Sequence, residues 1–257
     1  MTDQNKDRLK PLSPSGLASP AKPNRIGGLT GLAGRIAAQQ SAKQTASIDA
    51  AALPHRIALM LDSSGSMSGS AAAGEDDYVT GGLSKIERLR EAVMHFLQSC
   101  DLSTTSLAIE TFGADGNEHL VPQSTDYGLL MMSIMGLQSY GGTPMAQAMA
   151  YVLAHYAITR GIIVSDGQAD SSTAALETVT QYAEAQVPID CVHIGSASHG
   201  EDLLRKIAEL TGGMYIKFTN VSNFAKSFAY LTPAKRSELM LHDGSERARL
   251  LGATEVK

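Results

Sequence analysis

The amino-acid sequence predicts a doubly wound α/β domain, with a mostly parallel central sheet and helices on both of its faces. Three observations predict this fold. A chain of 257 residues with 43% hydrophobic residues is long enough to bury one substantial core. From residue 54 onward, short apolar segments alternate with amphipathic segments. Several of the apolar segments are nearly continuous in hydrophobicity, which is typical of strands buried on both faces.

The apolar segments are the predicted strands. Five of them occupy residues 57–61, 106–112, 161–165, 189–194 and 214–218. A further short strand around 119–121 suits a sheet edge. Because strands alternate with helices, right-handed crossovers should connect parallel strands. A ligand should then bind at the carboxyl ends of the strands, where the strand order reverses.

The amphipathic segments between the strands are the predicted helices. The clearest begins at Ser84, where Ser84 and Glu87 are spaced as a capping box. One apolar stripe follows, made of Ile86, Leu89, Val93, Phe96 and Leu97. Further helices are predicted over 145–157, 172–186, 201–211 and 221–230.

Composition and charge divide the chain into three parts. Residues 1–53 are rich in Pro, Ser, Gly and Ala and contain no aromatic residue, which predicts a disordered arm. The predicted domain covers 54–232, and a charged tail covers 233–257. The net charge is +4 over residues 1–55 and −9 over the other 202 residues. An acidic body argues against nucleic-acid binding, which requires a basic face.

The first ten residues lack the apolar region of a signal peptide. The longest apolar runs are far shorter than the roughly 20 residues of a membrane-spanning helix. We therefore expect a cytoplasmic protein that does not insert into a membrane. Cys100 and Cys191 lie at the end of a predicted helix and within a predicted strand, where free thiols behave as small buried hydrophobes, so no disulfide is expected.

Polar side chains follow the first predicted strand at the edge where a ligand is expected. Asp62, Ser64 and Ser66 are spaced i, i+2, i+4, so that a looping backbone can direct all three toward one point. Gly65 eases the bend between the two serines. This placement brings a carboxylate and two hydroxyls together.

Two more segments add oxygen atoms at the same predicted edge. Asp166 ends the strand 161–165, and Thr143 precedes Pro144, so that Thr143 is predicted as a helix N-cap and Pro144 as the first helical residue. Together the candidate metal ligands are Asp62, Ser64, Ser66, Thr143 and Asp166. An all-oxygen set suits Mg²⁺, Mn²⁺ or Ca²⁺ and does not suit zinc or copper.

The order and spacing of these three segments resemble the metal-ion-dependent adhesion site (MIDAS) of von Willebrand factor A (VWA) domains. The resemblance covers residues 54–232. It implies that the strands ending at Asp62 and Asp166 are neighbours at the centre of the sheet. It also implies that the serines and the threonine coordinate the cation directly or through water, and that an acidic residue of a partner completes the coordination. The segment 68–82 departs from the family pattern, and its Glu75, Asp76 and Asp77 could shield or occupy the metal.

The leading functional hypothesis is a non-enzymatic, metal-dependent protein-binding module, because no general base or nucleophile accompanies the candidate metal. Its partner should supply an Asp or Glu. By analogy with intracellular VWA adaptors, that partner could be a MoxR-type AAA+ ATPase or a stress-response module. Two alternatives stay open: a metal-dependent phosphoester hydrolase, and a structural scaffold whose metal only ties loops together. The glycine-rich cradles of nucleotide-binding proteins are absent from the sequence.

Histidines and methionines receive less specific predictions. His193 lies inside a predicted strand and should be a core residue, whereas His199 follows that strand and should be exposed to solvent. Met131, Met132 and Met135 are predicted mainly as helix packing residues, with a flexible contact surface as the alternative.

Overall fold

The computed structural model describes residues 49–69, 83–113, 116–167, 169–195, 200–219 and 223–257. Its centre is one seven-stranded sheet with the order β3-β2-β1-β4-β5-β6-β7. The strands are β1 (His55–Asp62), β2 (Thr105–Gly113), β3 (Gly116–Ser124), β4 (Arg160–Ser165), β5 (Ile189–Ile194), β6 (Tyr215–Phe218) and β7 (Glu255–Val256).

The sheet is parallel except at its edges. The five inner strands run parallel to one another, in the order β2, β1, β4, β5 and β6. The two edge strands, β3 and β7, pair antiparallel with β2 and β6. The strand order reverses between β1 and β4, because β2 pairs with one side of β1 and β4 with the other. The predicted doubly wound class is confirmed, and the carboxyl ends of β1 and β4 lie side by side at the switch point.

Helices cover both faces of the sheet. They are α1 (Lys85–Ser99), α2 (Tyr127–Met135), α3 (Met145–His155), α4 (Ser172–Glu184), α5 (Glu201–Thr211), α6 (Phe224–Phe228), α7 (Pro233–Leu239) and α8 (Gly244–Leu251). Strand β1 shows why two layers are needed. Ile57, Leu59 and Leu61 pack with α1, α2 and the C-terminal helices, whereas Ala58 and Met60 pack with α3, α4 and α5. Alternate residues of one strand therefore enter two separate cores.

Helix α1 confirms its predicted start and its predicted stripe. The Ser84 hydroxyl accepts from the Glu87 backbone N–H, and Glu87 Oε2 accepts from the Ser84 N–H at 2.7 Å. The five stripe residues are all buried. Two donors at the helix start are thereby satisfied, which fixes where the helix begins.

Other helices match their predicted segments with differences at the ends. Helix α5 has the predicted bounds, whereas α3 and α4 end two residues early. Within 221–230, the described residues form α6 and the start of a 3₁₀ turn, Ala229–Leu231. Met132 and Met135 of α2 are exposed rather than packed, and Met131 alone of the three contacts the core.

The segment 233–257, expected to be a charged tail, adds α7, α8 and β7 to the fold. Leu239, Leu251 and Val256 of this segment are buried, whereas Met240 and Leu241 are exposed. Two of its charges pair with the rest of the domain: Arg236 Nε and Nη2 donate to Asp190 at 2.8 and 2.9 Å, and Glu255 accepts from Arg205 Nη1 at 2.8 Å. A charge-rich composition predicts solvent exposure, and these internal pairs are the reason that it misleads here.

The predicted arm, 1–53, lies outside the described residues up to position 48. Its last residues contact the domain: Leu53 is buried, and the Ala50 carbonyl accepts from Ser106 Oγ at 2.7 Å. Cys100 and Cys191 are free cysteines, as expected. Within the described ranges, every helix is too short or too polar to cross a bilayer.

Candidate metal centre

The first part of the candidate centre lies where β1 ends. A 3₁₀ turn, Gly65–Ser68, follows the strand and bends Ser64 and Ser66 toward each other, so that their Oγ atoms lie 3.0 Å apart. Asp62 is fully buried, and its Oδ1 accepts from the Ser64 backbone N–H at 2.9 Å. Ser66 is exposed. The predicted convergence of a carboxylate and two hydroxyls is present, with an opening to solvent at Ser66.

Pairing of β1 with β4 brings a second carboxylate to this point. Ser165, the last residue of β4, donates from Oγ to Asp62 Oδ2 at 2.5 Å and accepts from the Gly167 N–H at 2.9 Å. Asp166 follows and is largely buried. Burial, together with the charge of Asp166, raises the pKa of Asp62 to about 7. Two carboxyl groups therefore lie close enough to interact in a place from which water is mostly excluded.

The loop before α3 is held against the loop after β1 by backbone contacts. The Gly65 N–H donates to the Gly141 carbonyl at 3.0 Å, and the Tyr140 N–H donates to the Ser63 carbonyl at 2.8 Å. Gly141 has φ of 76°, a conformation that favours glycine. These contacts bring Thr143 to a surface depression lined by Ser64, Ser66, Gly141, Thr143, Ala169 and Asp170.

Thr143 is not the helix cap that the sequence predicts. Helix α3 begins at Met145, its N-cap is Pro144, and no side chain caps it. The Thr143 carbonyl instead accepts from the Met145 N–H at 2.8 Å. Within the described part of the chain, the Thr143 hydroxyl forms no hydrogen bond with the protein. The Thr143 hydroxyl is therefore available as a ligand.

Asp170 belongs to the site and was missed by the sequence analysis. Its Oδ1 accepts from the Thr143 N–H at 2.8 Å, and its own N–H donates to the Thr143 carbonyl at 3.0 Å. A Cβ on Gly142 would lie 3.1 Å from Asp170 Oδ2, so the loop approaches this carboxylate closely. The available signal was a second Asp four residues after Asp166, just before α4.

Lys85 was also missed. Its Nζ lies 3.0 Å from Asp166 Oδ2 and 3.3 Å from the Ser66 carbonyl oxygen, and its side chain is 13% exposed. As the first residue of α1, it places a cation at the positive end of the helix dipole. That unfavourable position was the only sequence signal that Lys85 has a partner elsewhere.

His193 supports the site from below. It is fully buried, which confirms the prediction of a core residue, and its Nε2 lies 3.0 Å from the Asp166 carbonyl oxygen. Burial lowers the pKa of His193, so the ring is neutral and holds the turn after β4 by hydrogen bonding. His199, Glu75, Asp76 and Asp77 lie outside the described residues.

The donor atoms fit a hard divalent cation. In an octahedral shell with metal–oxygen distances of about 2.1 Å, adjacent oxygens lie about 3.0 Å apart. The Ser64 and Ser66 hydroxyls have that separation, 3.0 Å. The described residues contain no group of three or more His, Cys, Asp or Glu suited to a metal. The candidate centre therefore depends on two carboxylates and three hydroxyls, in contact with one competing ammonium.

In doubly wound α/β proteins, ligands bind at the switch point, where this domain has a polar depression lined by oxygen atoms. The sequence profile of the von Willebrand factor type A domain matches residues 55–216, more than half of the chain. The chain therefore belongs to the VWA family, a family of protein-interaction modules.

Solved structures are similar in fold at low identity. A D319A mutant of the PilB minor pilin from Streptococcus sanguinis is 13% identical, with a TM-score of 0.56 over 77% of this chain and 64% of that one. A von Willebrand factor type A protein from Catenulispora acidiphila is 15% identical, with a TM-score of 0.56 over 70% of this chain and 42% of that one. The chain thus spans less than two thirds of either protein.

The SpRpn10 VWA domain is 12% identical, with a TM-score of 0.53 over 70% of this chain and 95% of that domain. No curated protein matches the sequence. At these identities the similarity to solved structures establishes the fold, and it does not establish ligands or partners.

Proposed function

We propose that this chain is a divalent-metal-dependent protein-binding module, without catalytic activity of its own, that recognises an Asp or Glu of a partner protein. Its metal site would be a MIDAS formed by Asp62, Ser64, Ser66, Thr143 and Asp166. In this function the chain would act as an intracellular adaptor, and a MoxR-type AAA+ ATPase or a stress-response module remains a candidate partner.

The observation that carries the proposal is the grouping of three hydroxyls at the strand ends that hold two buried carboxylates. The Ser64 and Ser66 hydroxyls lie 3.0 Å apart, and the Ser64 side chain also hydrogen bonds to the Asp62 carboxylate. The Thr143 hydroxyl lines the same depression. Hydroxyls that serve only the fold are normally satisfied by backbone groups, so this arrangement favours a ligand that accepts several oxygens at once.

Charge favours a cation as that ligand. Asp62 and Asp166 are both buried, and bringing two carboxylates together without enough positive charge is costly. A bound divalent cation would neutralise both and would keep an electrophilic position for an incoming carboxylate. The role of the protein is to orient the oxygens: Ser165 and the Ser64 N–H hold Asp62, and Asp170 holds the backbone of Thr143.

Calorimetric titration with Mn²⁺ and Mg²⁺ tests the site. We expect one ion per chain for the wild type and no binding for Asp62→Ala, because that change removes the buried carboxylate at the centre of the hydroxyl set. Asp101→Ala is the matched control. It removes the same charge from an exposed residue in the turn before β2, at the opposite edge of the sheet, and should bind like the wild type.

A comparison of pull-downs with added Mg²⁺ and with EDTA tests the function. Partners captured in Mg²⁺ and lost in EDTA or in Asp62→Ala support metal-dependent recognition. Capture that survives both would assign the site to a structural role and contradict the proposal. Hydrolysis of a phosphoester substrate that disappears in Asp62→Ala would instead make the chain an enzyme.

A further inference from the structure

Lys85 reaches across the carboxyl edges of three strands. Its Nζ contacts the Ser66 carbonyl after β1 at 3.3 Å and Asp166 after β4 at 3.0 Å. Beyond β5, a Cβ on Gly195 would lie 3.5 Å from Lys85 Cε. The side chain therefore lies beside the ends of β1, β4 and β5, in contact with the Asp166 carboxylate.

The helix itself does not explain this lysine. The first position of a helix disfavours a cation, because the helix dipole places positive charge there. The capping box fixes the helix start, and the Lys85 N–H donates to the Gly69 carbonyl at 3.0 Å. The base of the side chain is thus held beside the site, with Asp166 as the group that offsets the unfavourable position.

We propose that Lys85 is a built-in competitor of the divalent cation: its ammonium group neutralises Asp166 in the metal-free protein and thereby weakens metal binding. This inference rests on the proposed metal site. Among the described residues, Lys85 is the one that forms an ion pair with either carboxylate. An incoming cation must separate Lys85 from Asp166 or bind despite repulsion by the ammonium group. Lys85 therefore sets the metal concentration at which the module can bind its partner.

Mn²⁺ titration of Lys85→Met tests the competition, because Met keeps the length and apolar stem of the side chain and removes its charge. We expect the Kd to fall roughly tenfold or more, the scale on which one unit charge within about 4–6 Å shifts a neighbouring charge equilibrium. Lys85→Arg keeps the charge and should stay as weak as the wild type. Lys257→Met is the matched control, since Lys257 pairs with Glu255 at 2.8 Å on the edge strand and its loss should leave the Kd unchanged.

The outcomes separate this inference from the proposed function. An equal Kd for Lys85→Met and the wild type, with binding still lost in Asp62→Ala, overturns the competition and leaves the metal site in place. Absence of binding in the wild type and every variant overturns the metal site, and the competition with it. Binding by Lys85→Met alone supports competition and contradicts metal dependence of the wild-type chain.

A purely structural salt bridge predicts a different pattern. Lys85→Met would then melt at a lower temperature while its Kd matched that of the wild type, and this result would also overturn the competition. If Lys85→Met loses its near-ultraviolet circular dichroism, Lys85→Gln is titrated in its place, because its neutral polar group can still hydrogen bond to Asp166. The rise in melting temperature on adding Mn²⁺ is a second measure of binding. This rise should be larger for the variant without the lysine charge than for the wild type.

Discussion

The two edges of the central sheet treat buried carboxylates in opposite ways. At the amino edge, Asp190 is fully buried and contacts two guanidinium groups: Arg236 at 2.8 Å and Arg160 at 3.4 Å. At the carboxyl edge, Asp62 and Asp166 are both buried, and the Lys85 ammonium group pairs with Asp166 alone, at 3.0 Å. At the amino edge, two positive groups face one carboxylate. At the carboxyl edge, one positive group lies beside two carboxyl groups.

This difference separates a structural site from a ligand site. Both oxygens of Asp190 are engaged, since Oδ1 also accepts from the Met214 N–H at 2.9 Å, and the site ties α7 to the sheet. Burial lowers the pKa of Arg160 to about 10, so that it stays charged at neutral pH. Burial raises the pKa of Asp62 to about 7, so its charge is the costlier one to keep. A divalent cation would supply the missing positive charge, and the neighbouring hydroxyls would be its further ligands.

The largest effect is expected at the amino edge. Asp190→Ala leaves two arginines without their carboxylate, and breaking a buried pair in this way costs about 3–5 kcal/mol in the free energy of unfolding. Urea denaturation monitored by circular dichroism measures the loss. The Kd for Mn²⁺ of the folded fraction should not change. A loss below about 1 kcal/mol, as for an exposed ion pair, would show that Asp190 does not hold α7 on the sheet.

Asp62→Asn should show the opposite behaviour. Without metal its stability should change far less than that of Asp190→Ala, because the substitution keeps an acceptor for the Ser64 N–H and relieves repulsion with Asp166. The variant should lose the stabilisation by metal. For the wild type, this stabilisation is about 2.7 kcal/mol at a metal concentration of about 100 times Kd. Parallel urea titrations with Mg²⁺ and with EDTA measure both quantities. Equal stabilisation of the variant by Mg²⁺ would place the ion elsewhere.

The sequence predicts the frame of the site well because the frame depends on periodic patterns. Buried parallel strands leave continuous apolar runs, and the residues that end them must lie at one edge. The apolar runs therefore placed Asp62 and Asp166 at the same edge, and the resemblance to VWA domains implied that their strands are neighbours, as the paired strands β1 and β4 are. The start of α1 was equally predictable, since a capping box is a local pattern of Ser84 and Glu87.

What the sequence could not supply were contacts between segments far apart in the chain. Lys85 and Asp166 are 81 residues apart and Asp170 and Thr143 are 27 apart, so no local period links them. The tail was misjudged for the same reason, because the partner of Arg236 lies on β5. The cap assigned to Thr143 failed because its carbonyl accepts from the Met145 N–H in a γ-turn-like bond, and the helix begins one residue later.

Asp170 tests whether the carboxyl edge needs a group that orients Thr143. Asp170→Ala removes a charged acceptor from the Thr143 N–H, which should cost about 1–3 kcal/mol of stability. It should also weaken Mn²⁺ binding by roughly 10–100-fold, as is typical when a group that orients a metal ligand is removed. Asp170→Asn keeps the acceptor and should retain most of both. Titration and thermal melting of the three proteins give the two quantities. Unchanged Mn²⁺ affinity in Asp170→Ala would mean that Thr143 needs no such support.

The smallest effect on stability is expected for Thr143→Ala. A lost helix cap would cost about 1 kcal/mol, but the Thr143 side chain does not cap α3, so the change should stay within about 0.5 kcal/mol. Metal affinity should nevertheless fall by about an order of magnitude, because one oxygen of the shell is removed. Thr143→Ser keeps that oxygen and should bind like the wild type. Melting curves and Mn²⁺ titrations of the three proteins separate the two effects. A lower melting temperature with unchanged affinity would restore Thr143 to a structural role and reduce the proposed site to Asp62, Ser64, Ser66 and Asp166.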